Sequence, residues 1–167
     1  IETPSGHLAA SVNQSICTGC GRCVRVCPGG RIETGLIPED IDPFTGSCIA
    51  AYTAKAGDKT ILEHAQSGGV VSTLLCFLLS EGLVDRAVVT VMPHDGSLRP
   101  APRIATTCQE VVEAQGSKYC PVALNAILPK LEDSTLARTA MVGLPCHVEG
   151  VRNAIAIRWY DDAPLLI

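Results

Sequence analysis

The stretch Ser67–Met92, SGGVVSTLLCFLLSEGLVDRAVVTVM, decides the fold. Its first part reads as a helix, with Ser67 as the expected N-cap and Gly82 as the stop signal. Its last part, VDRAVVTVM, is dominated by Val and Thr and reads as a strand. A helix followed directly by a strand opens an alternating pattern that the rest of the chain continues. PRIATT (102–107) fits a second strand. TCQEVVEAQG (107–116) places Thr107 and Glu110 at capping-box spacing, with Gly116 at its end. PVALNAILPKLE (121–132) reads as a helix with Pro121 near its start, kinked or ended by Pro129. ARTAMVGL (137–144) is a short buried strand, and HVEGVRNAI (147–155) a helix behind the loop GLPC. Strands alternating with helices predict a layered α/β domain.

The chain is different upstream of this region. KTILEHAQ (59–66) is at most a short helical turn, and a composition shift falls near Thr60. GGRIETGLIPEDIDPFTGS (29–47) is rich in Gly and Pro and reads as loop with a short extended piece. Residues 1–15 are polar and irregular. The expected division is 1–57, a small segment carrying the ferredoxin-type cysteine run CTGCGRCVRVCP, and 58–167, the layered α/β domain. There is no internal repeat and no low-complexity tract.

Composition narrows the function classes. Of 167 residues, 47% are hydrophobic and 18% charged, a balance that favours a buried core over disorder. Aromatic residues make up only 4%, so the core has to rest on Val, Leu, Ile and Ala. The net charge is −4 and no block of Lys or Arg stands out, which argues against nucleic acid as a partner. The longest apolar run, VVSTLLCFLL, is too short to span a bilayer. No signal peptide is visible, although the first residue is Ile rather than Met. A cytoplasmic, reduced setting is the expectation.

Nine cysteines are present, and four of them crowd into CTGCGRCVRVCP as Cys17, Cys20, Cys23 and Cys27, followed by Pro28. Gaps of two, two and three residues let four thiolates converge on one small centre. Soft sulfur ligands suit iron, and this is the bacterial ferredoxin-type run for a 4Fe-4S cluster. Gly19 and Gly21 permit the tight turns. Zinc is the competing reading, but it usually takes two well separated C-x2-C pairs, and the second pair is absent. The fourth ligand is either Cys27 or a distant cysteine such as Cys48, because in two-cluster ferredoxins the last cysteine of the run serves the other cluster.

Three loops carry the remaining candidates. In AQSGGVV, Gln66, Ser67, Gly68 and Gly69 stand where a loop meets a helix, a place suited to phosphate or simply to a turn. In GSKYCPV, Lys118 is able to pair with phosphate and Tyr119 to stack on a flat ring; the plainer alternative is an exposed Lys and a half-buried Tyr. In GLPCHVEG, Pro145 and Cys146 follow a strand end and precede a helix, where α/β folds place ligands. His147 either touches a ligand or caps the helix. Cys76 is expected to be a core residue, and Cys108 has no assigned role.

These stretches, CTGCGRCVRVCPGGRIE, AQSGGVVSTLLCFLLSEGLVDRAVV, EVVEAQGSKYCPVALNAI and VGLPCHVEGVRNAI, resemble the coenzyme F420 hydrogenase/dehydrogenase beta-subunit family. The resemblance runs from about Cys17 to Ile155. Its members are iron–sulfur flavoproteins. The resemblance therefore implies a flavin, typically FAD, near Gln66–Gly69, Lys118–Tyr119 and Pro145–Cys146, beside a 4Fe-4S cluster on Cys17, Cys20, Cys23 and Cys27. It further implies coenzyme F420 or a similar hydride or electron partner, and a redox partner protein such as a hydrogenase-like subunit or ferredoxin, in an oligomer or complex. Family members run on considerably further, so the chain is expected to be an N-terminal portion, whether fragment, truncated product or half of a split protein. Two rival readings are a single-cluster electron carrier or docking subunit without its own flavin, and a non-catalytic module with a structural metal.

Overall fold

The computed structural model describes residues 9–30, 46, 48–93, 99–131 and 133–167. The loop and extended piece expected over 29–47 lie largely outside the described residues. Four strands form one mixed sheet: β1 (Arg86–Val91), β2 (Ala101–Ala105), β3 (Thr139–Met141) and β4 (Leu165–Leu166), in the order β2-β1-β3-β4. β2 is antiparallel to β1, with Val89 opposite Arg103; β3 is parallel to β1, with Ala87 opposite Ala140; and β4 is parallel to β3. The helices are α1 (Arg22–Val26), α2 (Lys59–His64), α3 (Val70–Ser80), α4 (Cys108–Glu113), α5 (Asp133–Leu136) and α6 (Pro145–Ala156). The layered α/β architecture expected for the C-terminal part is the one observed.

The sheet is covered on both faces, which is why β1 reads as an almost continuous apolar run rather than an alternating one. Ala87 and Val89 point to one side and join Leu75, Leu78, Val111 and Ala140 beneath α3 and α4. Val88 points to the other and joins Leu124, Leu128, Leu136, Met141 and Val151 beneath α6 and the 3-10 segment Leu124–Lys130. The period-two switch along 87–89 therefore divides one strand between two cores.

Two expected boundaries moved. α3 does not open at Ser67: Gly68 and Gly69 both adopt left-handed backbone, with φ of 58° and 70°, and Gly69 is the residue before the first helical turn. A right-handed helix cannot run through two such residues, so it starts at Val70. The C-terminal stop at Gly82 (φ 63°) is as expected; there the Leu83 N–H donates to the Leu78 carbonyl at 2.9 Å. The second correction concerns 121–132, which is not an α-helix. Pro129 lacks an N–H, and its ring would strike the carbonyl of Asn125 in α geometry. The chain instead makes the tighter 3-10 turns of Leu124–Lys130, and Pro121 lies outside them.

The capping box is present as read: the Glu110 N–H donates to Thr107 Oγ1 at 3.2 Å, and Glu110 Oε2 accepts from the Thr106 and Thr107 N–H groups at 2.7 and 3.2 Å. Cys76 departs from its expected role as a plain core residue. It is bonded to Cys108, S–S 2.08 Å, and so ties α3 to α4. The two cysteines are 32 residues apart, and nothing in their local sequence pairs them.

Candidate functional site

A cavity of about 850 Å3 opens where β1 and β3 end, between α3 on one side and α6 on the other. That volume suits a small organic ligand or cofactor. Its position at the carboxyl ends of parallel strands is the usual place for a ligand in an open α/β sheet. Three loops wall it. Gln66, Ser67 and Gly69 contribute from the first, Lys118 and Tyr119 from the second, and Cys146 from the third. Gly68 and Pro145 do not line it. Gly68 faces the chain at Ala54, whose carbonyl would lie 3.0 Å from an added Cβ, and its own carbonyl accepts from the Ala56 N–H at 2.6 Å. Pro145 opens α6.

Several of these side chains shape the walls. Gln66 Oε1 accepts the Ser117 N–H, and Gln115 Nε2 donates to the Ile61 carbonyl at 3.2 Å. Together they lace the second loop to the segment before α3. The Lys118 ammonium donates to the carbonyls of Ala114, Gln115 and Gly116, the last two at 2.9 and 2.7 Å. These are orphan carbonyls at the end of α4, and a cation is the natural group to satisfy them. All three ammonium protons are used there, so in this arrangement Lys118 has none left for a phosphate. Partial burial lowers the Lys118 pKa from its ordinary value. Tyr119 is 91% exposed at the cavity mouth.

His147 performs the matching task on the other wall. Its Nδ1 accepts the Leu144 N–H at 3.1 Å, and its Nε2 lies 3.1 Å from the Val122 carbonyl. A carbonyl only accepts, so the proton belongs on Nε2 and the ring is neutral in this pairing. Of the two roles considered for His147, capping the helix is the one observed, and the same ring joins the second loop to the third. Gly143 makes room for it: an added Cβ would stand 2.9 Å from His147 Cβ. Asn125 Nδ2 donates to the His147 carbonyl at 3.0 Å.

Gln115 was not among the expected site residues, yet it borders the cavity, and its Oε1 is buried without a hydrogen-bond partner among the described residues. Such an acceptor fits a ligand that offers an N–H, as the ring system of a flavin does. Its position directly before Gly116 was the only available signal.

The cysteine run lies apart from the cavity. Cys17, Cys20, Cys23 and Cys27 are exposed free thiols, Cys23 being on α1. Among the described residues no group of three or more His, Cys, Asp or Glu side chains is gathered at metal-binding spacing. Exposed thiols choose their rotamers freely, and ligand sets of this kind close around the metal they bind. The donor chemistry nevertheless fits a cluster. Gly19 and Gly21 take left-handed backbone (φ 67° and 69°) with open space beside both, and the Gly19 N–H donates to Cys17 Sγ at 3.5 Å. Hydrogen bonding from the Arg22 backbone, then from the Thr18 side chain, lowers the Cys20 pKa and favours its thiolate. Cys48 is an exposed free thiol with no described link to the run.

Comparison with known proteins agrees with both parts. Residues 51–129 match the family model described as coenzyme F420 hydrogenase/dehydrogenase, beta subunit N-term, and residues 9–32 match a 4Fe-4S binding domain. The coenzyme F420 hydrogenase subunit beta of Methanococcus voltae is 38% identical over 115 residues, covering 68% of this chain and 40% of the relative. The coenzyme F420-dependent sulfite reductase of Methanocaldococcus jannaschii is 30% identical over 162 residues, covering 85% of this chain and 26% of the relative. Among solved structures, a chain of the F420-reducing NiFe hydrogenase complex from Methanosarcina barkeri superposes with a TM-score of 0.59 at 27% identity, over 70% of this chain and 40% of that one. The chain therefore spans well under half the length of these relatives.

Proposed function

Because the chain carries the N-terminal domain of the coenzyme F420 hydrogenase/dehydrogenase beta-subunit family, we propose that it belongs to an oxidoreductase that passes electrons between a 4Fe-4S cluster on Cys17, Cys20, Cys23 and Cys27 and a flavin, typically FAD, in the cavity. Coenzyme F420 or a similar hydride carrier is the proposed substrate, and a redox protein or subunit the proposed partner. The observation that carries the reading is the convergence of three loops, remote in sequence, on one cavity of cofactor size at the ends of β1 and β3.

When bound, the cluster supplies one-electron transfer and the flavin supplies the exchange between one- and two-electron chemistry. The chain's residues supply binding and orientation. Gln115 Oε1 offers a buried acceptor to a ring N–H. Gln66 and His147 tie the loops to one another and Lys118 closes the end of α4, so the cavity is formed in advance. Val89, Leu75 and Val142 give it an apolar floor.

The test is the visible spectrum of anaerobically purified, reconstituted protein. Flavin bands above a broad iron–sulfur shoulder are expected. Absence of both overturns the reading, and zinc in a protein without visible absorbance would select a structural metal. A second reading, a one-cluster carrier without flavin, is favoured by two observations: Tyr119 stands almost fully exposed and the Lys118 ammonium is turned to the end of α4. Iron and sulfide without flavin would select it.

A further inference from the structure

We infer that α6 sets the distance between the cysteine run and the cavity, with Gly150 and Asn153 as the positioning residues. The inference rests on the electron-transfer reading for its purpose but not for its geometry. α1 ends at Val26, and the last carbonyls of a helix lack partners within it. Asn153 Nδ2 donates to the Val26 carbonyl at 3.3 Å. One turn earlier on the same helix is Gly150. A Cβ added there would lie 3.8 Å from the Val26 carbonyl oxygen, 3.9 Å from Pro28 Cδ and 3.1 Å from Asn125 Nδ2. Val26 and Pro28 bracket Cys27. The cysteine run is thus seated on α6 at Gly150, where a Cβ would already touch Val26 and Pro28 at van der Waals distance and a longer side chain would push the run away.

The other end of α6 is at the cavity, where Cys146 and His147 line the wall. With a rise of about 1.5 Å per residue, Gly150 is roughly 6 Å and Asn153 roughly 10 Å along the axis from Cys146. Asn125 joins the two ends, because it packs against Gly150 and donates to the His147 carbonyl. One rigid helix therefore carries both the seat of the run and part of the cavity wall. Electron transfer weakens steeply with separation, so a fixed short helix is an effective way to hold two centres in range.

The experiment uses the whole chain, reconstituted anaerobically with iron and sulfide and reduced with dithionite to make the cluster paramagnetic; the zinc-loaded chain is the diamagnetic control. Broadening of the amide resonances of Gly143, Leu144, Cys146 and His147 is expected in the unaltered protein. In Gly150→Leu, a substitution that keeps helix propensity, that broadening is lost while iron content and the far-ultraviolet spectrum persist. Asn153→Ala, which removes one hydrogen bond and adds no bulk, gives a partial loss and serves if the leucine variant does not fold. No broadening in the unaltered protein, or the same broadening in both variants, overturns the inference. If no iron is retained, the cluster reading fails separately. The seat is then judged by amide hydrogen exchange over 22–28, which should quicken in both variants; unchanged exchange overturns it.

Discussion

The sheet domain and the cysteine run are built on opposite terms. In the sheet domain Val88, Leu124, Leu136, Met141 and Val151 are almost wholly removed from water, and the fold follows from apolar burial on two faces. In the run every thiol is exposed, α1 buries no residue, and among the described residues it rests on α6 through polar and close-packed contacts. The first region is determined by what it excludes, the second by what it is to bind. A disturbance in one should therefore leave the other largely intact.

The largest effect expected is on the run. Cys20→Ser should abolish cluster incorporation, read as loss of iron, sulfide and the visible shoulder, while the thermal midpoint of the sheet domain stays put. A midpoint that falls with the cluster would break the comparison. Next is Leu124→Ala, which should cost about 2–5 kcal/mol in denaturant unfolding, since the side chain is 2% exposed in the core below α6. Reduction of Cys76–Cys108 comes third. The bond closes a separation of 32 residues, and its loss should cost roughly 3–4 kcal/mol on the chain-entropy account, seen as an earlier urea midpoint with reductant present. A midpoint indifferent to reductant would mean that α3 and α4 are held by packing alone.

The smallest effect is at the α4 cap. Thr107→Ala should cost about 1 kcal/mol. The Glu110 carboxyl is held down at about 2, first by the Thr106 N–H and then by Arg103 and the Thr106 hydroxyl, against an ordinary value of 4.5. A lowered folded-state pKa means stability that is present above 4.5 and lost as pH falls from there towards about 2. Glu110→Gln should flatten this part of the pH–stability curve. A curve that keeps its slope in the variant would assign the acid sensitivity to other carboxylates.

Much of this was legible in the chain. β1, the Thr107–Glu110 box and the Gly82 stop are local devices, written in consecutive residues. Ser67 failed as a cap because the two glycines after it turn the chain first. The 3-10 segment was missed because Pro129 acts on the carbonyl four residues earlier, before any helix is established. For the site, three loops were identified but their members' tasks were not. Lys118 reads as a phosphate partner until the end of α4 is seen beside it, and Gln115 has only its place before Gly116 to mark it until its oxygen is seen to be buried.

The sequence by itself determined the spacing of the cysteine run, the alternation of helices and strands, and the likeness to a family, because each depends on residue type and short spacing. Only the tertiary structure decided that Cys76 meets Cys108, that Gln66 and His147 act as laces between loops, and that the run is seated on the helix that walls the cavity. Those facts depend on residues 25 to 127 positions apart in the chain, brought together by burial of the two cores. No local pattern encodes a contact whose partner is chosen by packing elsewhere.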